Sequence, residues 1–148
     1  PVFLVSCCAG QRRGCSIRGP RHCRVCPWLS GRVEVDESYL GGAEEGVRGR
    51  KTQTKALIIV AAQEDGRGIG RIRMRQIPDA SAGSLHLFVG DSIASGSVVH
   101  TDGWPGYSGL DTKGYIHEVT VLKGRKESAS ELLPRVHRVM SLLRTRSW

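Results

Sequence analysis

After Cys26 the chain has no cysteine. Its five, Cys7, Cys8, Cys15, Cys23 and Cys26, all fall in the first 26 of 148 residues. The number is odd and nothing downstream can pair with them, so a disulfide framework is excluded for the bulk of the chain. With no secretion signal, a reducing, cytoplasmic setting is expected. PVFLVSCCAGQ has a short apolar piece but no basic segment before it, and it is not read as a signal peptide. The chain opens on Pro1 rather than Met, which suggests that its start lies upstream. No apolar run approaches the length needed to span a bilayer, and no internal repeat is present. Acids are scarce: 14 Asp and Glu stand against 22 Lys and Arg, a net charge of +8. A chain this basic suits polyanions, of which nucleic acid is the commonest, although charge alone is a weak pointer.

What is present is one domain's worth of chain with 39% apolar residues. Composition shifts near residue 30. Residues 1–30 are rich in Cys, Arg and Gly without periodicity and read as an irregular lead-in. Cys23-Arg-Val-Cys26 has the spacing of half a zinc knuckle. A tetrahedral site needs four ligands, so His22 or Cys15 would have to join, and a lone CxxC supports zinc weakly. From Gly31 the pattern becomes regular. GRVEVDESYLGG alternates and predicts a strand ending near Asp36. AEEGVRGRKTQTK is a polar loop carrying Arg48, Arg50, Lys51 and Lys55. ALIIVAA predicts a strand buried on both faces. In GRIRMRQIP, Ile72 and Met74 are expected to face inward. Arg71, Arg73 and Arg75 would then line a cationic outer face, read as a solvated edge slightly in preference to a DNA contact.

ASAGSLHLFVGDSI predicts a helix with Leu85, Phe88 and Val89 on its apolar stripe. SVVHTDG and GYIHEVTVL predict two more strands. SASELLPRVHRVMSLL is a helix with Leu132, Leu133, Val136, Val139, Met140 and Leu143 on one stripe. Ser128-x-x-Glu131 has the form of a capping box, but Pro134 places the start of the regular helix near Leu133. The order β, β, β, α, β, β, α predicts an α/β fold: an antiparallel meander, then a returning strand, in a mixed sheet with packed helices.

Two acids occupy similar places, Asp36 in VEVD and Asp102 in VVHTD. Asp-Gly is ordinary turn chemistry, and taken alone Asp102 is best read that way. If the two strands are neighbours, however, both carboxylates meet at one edge of the sheet. Such a pair repels unless a cation bridges it. Mg²⁺ takes oxygen ligands and is commonly held by one or two carboxylates plus substrate phosphate. Two such ions about 4 Å apart serve in-line displacement at phosphorus. His137, beside the apolar stripe of the last helix, is a candidate third ligand, although spacing alone favours a partly buried helix histidine. Arg144 follows two turns later on roughly the same face.

Together VEVDESYLGG, VRGRKTQTK, HTDGWPGYSGL and LPRVHRVMSLL resemble bacterial insertion-sequence transposases of the ISXO2-like group, in the DDE-type, RNase H-like superfamily. The resemblance covers residues 31 to about 143. It implies an RNase H-like catalytic domain over 31–148 that cleaves phosphodiesters and transfers strands with Mg²⁺ or Mn²⁺. It also implies DNA as partner, and a homo-oligomer, because such enzymes commonly act as multimers. The first two triad positions fall on Asp36 and Asp102, and the third, often Glu, falls on His137, a variation the group includes. Imidazole is a poorer Mg²⁺ ligand than carboxylate and suits Mn²⁺ better. The group's following Lys corresponds to Arg144, a candidate DNA contact with Arg48, Arg50, Lys51 and Lys55. Both flanks depart from the group, with no recognisable upstream DNA-binding region and a C-terminus that reads as incomplete. They look like out-of-frame translation joined to a family segment, and the activity of such a fragment stands open. Two alternatives remain: a non-catalytic DNA-binding remnant, and an RNase H-like nuclease that does not transpose.

Overall fold

Strand β1, Arg32–Leu40, lies at the centre of a five-stranded sheet ordered β3-β2-β1-β4-β5. The computed structural model describes residues 28–41, 55–120 and 132–145. Strands β2 (Ala56–Asp65) and β3 (Gly68–Gln76) continue from β1 as an antiparallel meander. Helix α1, Ala82–Ser92, then returns the chain to β4, Val98–Thr101, which pairs parallel to β1. Two short 3-10 turns, Pro105–Tyr107 and Asp111–Lys113, lead to β5, Ile116–Val119, parallel to β4. Helix α2, Pro134–Thr145, completes the described chain. Element order and the mixed sheet follow the pattern read from the sequence. The cysteines, His22, Arg48, Arg50, Lys51, Ser128 and Glu131 lie outside the described residues.

Each face of the sheet has its own core. Val33, Val35, Leu57 and Ile59 pack with Leu85, Phe88 and Val89 of α1. Ile58, Val60 and Ala62 pack with Leu133, Val136, Val139 and Met140 of α2. The continuous apolar run of β2 serves both, as a central strand covered on two sides must. Leu29, within the segment read as lead-in, is fully buried and donates its N–H to the Ser92 carbonyl at 2.8 Å. Helix α1 starts on Ser81, whose side chain accepts from the Ser84 N–H, an N-cap of the usual kind.

Three expectations are corrected. Strand β1 does not end near Asp36 but runs four residues further, because Glu37 to Leu40 pair with Ile59 to Ala56 of β2. Met74 is 52% exposed rather than inward, while Ile69 and Ile72 of the same strand do reach the α2 core. The arginines of β3 are not a freely solvated row. Arg71 donates to the Gln63 side chain and the Trp28 carbonyl, and Arg75 bonds Asp91 at 2.9 Å with its guanidinium over the Phe88 ring.

Helix α2 has a cap that comes from elsewhere in the chain. Glu34, 2% exposed, accepts from the backbone N–H groups of Arg135 at 2.7 Å and Val136 at 3.0 Å. These are first-turn donors that have no partner within the helix, and Pro134 at the first position has no N–H to satisfy. The Arg135 guanidinium closes on the same carboxylate at 2.9 Å and reaches Glu64 at 3.1 Å, besides the carbonyls of Gly66 and Gly68. Removing one member of a buried pair leaves an uncompensated charge, at a typical cost of about 3–5 kcal/mol. Glu34→Ala is therefore expected to lose about that much stability. Urea unfolding should show that the double variant with Arg135→Ala loses clearly less than the sum of the single losses.

Candidate active site

Residues 34, 36 and 38 of β1 share the α2 side of the sheet, because side chains alternate along a strand. Each meets a residue of α2. Glu34 holds Arg135, the Asp36 carboxylate lies 3.4 Å from His137 Nε2, and the Ser38 hydroxyl accepts from the Arg144 guanidinium. The β1–β4 register adds Asp102. Arg32 pairs with Val98 and Glu34 with His100, an offset of 66, and 36 + 66 = 102. Carried two residues past its last pair, that register would set Asp102 opposite Asp36, and the Asp102 charge does act on the Asp36 carboxylate. Asp102 stands just past the end of β4, which closes at Thr101.

The turn after Asp102 is built around that side chain. Its Oδ1 accepts from the Trp104 N–H at 3.0 Å, and Gly103 adopts φ 77° between them, an Asx turn over a left-handed residue. Trp104 donates its indole N–H to the Ala80 carbonyl at 2.9 Å. Gly106 is a packing glycine: a Cβ there would lie 2.7 Å from the Ala80 carbonyl oxygen and from Leu85. Tyr107, fully buried, donates its hydroxyl to Glu37 at 2.8 Å. Sequence reasoning missed Glu34, Glu37, Ser38 and Tyr107. The one signal for them was position: Glu34, Glu37 and Ser38 lie in the same short motif as Asp36, and Tyr107 in that of Asp102.

The electrostatics of Asp36 are unusual. Its side chain is only 13% exposed, and its pKa is pushed up to about 7. Burial is the main cause, followed by the charges of Glu37 and Asp102; the Glu37 N–H and Arg144 pull the other way. His137 is pushed below the ordinary imidazole value, first by burial and then by Arg144. Its ring is therefore neutral near pH 7, and the Asp36–His137 contact is not a full ion pair there.

Two carboxylates and a neutral imidazole nitrogen are donors that a divalent cation accepts, and the positive charge of Arg144 does not offset the burial and acidic neighbours that raise the Asp36 pKa. The donor chemistry fits such an ion. Among the described residues, however, no three Asp, Glu, His or Cys side chains form a ready-made metal cluster. His137 and Asp36 approach each other instead. Of the expected DNA contacts, only Lys55 and Arg144 fall among the described residues. Arg144 lies within the site, Lys55 packs against Gly41 at the start of β2, and the loop basics fall outside the described residues.

A search of curated proteins finds no match. The family model for the ISXO2-like transposase domain matches residues 28–147, nearly all of the chain from Trp28 onward. The mixed sheet with its packed helices is that of an α/β, RNase H-like fold. No described helix is long and apolar enough to cross a membrane.

Without metal, Asp36 has a folded pKa near 7 against an unfolded value of 3.8. The unfolded chain loses this proton first as pH rises, so the native state is favoured below about pH 4 and loses stability through about pH 7. The shift corresponds to about 4 kcal/mol at most. Thermal unfolding in EDTA across that window is expected to show the stability of the parent falling relative to Asp36→Asn. A constant difference between the two would refute the assignment.

Proposed function

Because the chain belongs to the ISXO2-like transposase domain family, we propose that it carries the catalytic domain of an insertion-sequence transposase. The proposed reaction is metal-dependent phosphodiester cleavage followed by strand transfer, with Asp36, Asp102 and His137 as the site. The observation that supports this best is the meeting of the three side chains, with His137 Nε2 3.4 Å from Asp36 and the Asp102 charge acting on both. Asp36 and Asp102 would hold Mg²⁺ or Mn²⁺, and His137 would complete the set with its neutral ring. When bound, the ion supplies Lewis-acid activation of an attacking water or DNA 3′-hydroxyl and stabilises charge developing at phosphorus.

The remaining work falls to the chain's own side chains. The carboxylates fix where the ion and the scissile phosphate meet. Arg144 brings a permanent positive charge to the same seam, two residues along β1 from Asp36 through Ser38, and suits a phosphate oxygen. Arg48, Arg50, Lys51 and Lys55 supply contacts to the DNA backbone, which orient without reading sequence. The protein is proposed to act in the cytoplasm on the ends of its element and on target DNA, as a homo-oligomer.

Asp102→Ala is expected to lower metal-dependent cleavage of element-end DNA by about 100–1,000-fold, the worth of several kcal/mol at the transition state. DNA binding measured in EDTA should be retained. Unchanged cleavage in this variant would sink the site assignment. If the parent cuts but never joins a cut end to target DNA, the nuclease reading wins. If the parent binds DNA yet never cuts with either ion, the non-catalytic reading wins. A triple Arg48→Ala, Arg50→Ala, Lys51→Ala variant should bind more weakly on every sequence. The slope of log K against log salt should fall by about 0.9 for each phosphate that is no longer neutralised.

A further inference from the structure

The β1–β4 ladder pairs Arg32, Glu34 and the residue between them with Val98 to His100, and no further. Asp36 and Asp102 stand two residues beyond the last pair. Backbone pairing between these strands therefore does not set their separation, although it sets their register. Beyond the ladder, Asp102 enters a turn whose neighbouring contacts lead away from β1. Its own carboxylate accepts from the Trp104 N–H, and the Trp104 indole reaches back to Ala80, ahead of α1. Among the described residues a hydrogen bond does cross back to β1, from Tyr107 to Glu37 over a sequence separation of 70 residues, beside the packing of the Tyr107 ring in the core that Val33 and Val35 share.

We propose that Tyr107 and Glu37 are positioning residues: their hydrogen bond clasps the Asp102 turn to β1 and fixes the spacing of the Asp36 and Asp102 carboxylates. The inference rests on the reading of Asp36 and Asp102 as the metal-holding pair, while the clasp itself does not.

Tyr107 is anchored at both ends. Its ring lies in the α1-side core with Val35, Leu85 and Leu110 and has no solvent exposure. Its hydroxyl donates to Glu37 Oε2 at 2.8 Å, an ordinary O–H···O hydrogen-bond distance. Burial, followed by the Glu37 charge, holds the phenol protonated well above its ordinary range, so it stays a donor. Glu37 adjoins Asp36, and its N–H donates to Asp36 Oδ1 at 2.8 Å. One residue thus touches the Asp36 carboxylate through its backbone and the Asp102 turn through its side chain. The turn cannot readily shift as a unit, because Gly106 is packed against Ala80 and Leu85.

Tyr107→Phe removes the hydroxyl and keeps the ring. Glu37→Gln removes the charge and keeps an oxygen that accepts from Tyr107. In the metal-free protein, amide hydrogen exchange is expected to rise at least about 10-fold at Trp104 in Tyr107→Phe. The β1–β2 ladder should stay protected and the melt cooperative. Glu37→Gln should exchange like the parent. Unchanged exchange in Tyr107→Phe would overturn the clasp, as would an equal rise in both variants, since charge rather than the bond would then be responsible. Calorimetric titration with Mn²⁺ follows, with Asp102→Asn as reference. Tyr107→Phe is expected to weaken binding about 10–100-fold, as loss of an outer partner of a metal ligand typically does; Glu37→Gln should stay closer to the parent. If the parent binds no Mn²⁺, or Asp102→Asn binds as well as the parent, the metal-pair reading fails while the exchange result still decides the clasp. If Asp102→Asn loses binding and Tyr107→Phe does not, the positioning role fails alone.

Discussion

Glu34 is a carboxylate with almost no access to water, and the geometry of the candidate site depends on what it holds. It is the non-local cap of α2, accepting two first-turn N–H groups and the Arg135 guanidinium. That contact fixes the start of the helix against a definite residue of the central strand. Two further contacts then fall along β1 in the same direction, Asp36 to His137 and Ser38 to Arg144. The lengths agree. Four residues of strand, Glu34 to Ser38, span about 13 Å at the usual rise. Nine residues of helix, Arg135 to Arg144, span about 13.5 Å. Helix and strand run alongside each other over the same distance, so pinning one end places both side chains at the other.

A buried carboxylate is a costly pin, since a well-packed apolar residue often gives equal or greater stability. What it adds here is register. The α2 core residues Val136, Val139, Met140 and Leu143 would pack acceptably after a shift of one turn, because the apolar stripe repeats. The two N–H groups that bond Glu34 occur only at the helix start, so such a shift would leave the carboxylate unpaired in the core. The penalty falls on the very displacement that would carry His137 away from Asp36.

The strands and helices were legible because their signals are local. Alternation in VEVD, the β-branched run ALIIVAA and the stripe of α2 each report what one segment buries. The turn after Asp102 was legible because turns carry residue preferences, whereas the reading of Asp36 and Asp102 as a pair came from the family resemblance and the extension of β1 past Asp36 was not legible. Glu37 and Ser38 are weak strand formers, and their conformation comes from pairing with β2. Glu34 was invisible for a related reason. In an alternating strand a polar residue reads as facing water, and the pattern does not distinguish water from the start of a helix about a hundred residues away. Met74 erred in the opposite sense. Alternation set it beside Val60, which is buried under α2, but Met74 itself stands on the edge strand and stays exposed. Residue pattern shows which side a side chain takes; whether anything covers that side is settled by tertiary packing.

Charge around the seam is organised in two zones that share one strand. At the Glu34 end, carboxylate and guanidinium are matched: Arg135 lies between Glu34 and Glu64, and Arg32 reaches Glu64 and Glu118. At the Asp36 end, burial first and then the charges of Glu37 and Asp102 push the Asp36 pKa up to about 7, against the opposing Glu37 N–H and Arg144. His137 does not restore balance, because burial and Arg144 keep its ring neutral. The first zone is electrically complete without a ligand and serves the fold. The second retains an excess of acid in a poorly hydrated place, a cost of the kind that a bridging cation relieves. In the proposed reading that contrast divides the labour on β1. The satisfied carboxylate holds the helix still, and the unsatisfied one two residues away is left with affinity for an ion.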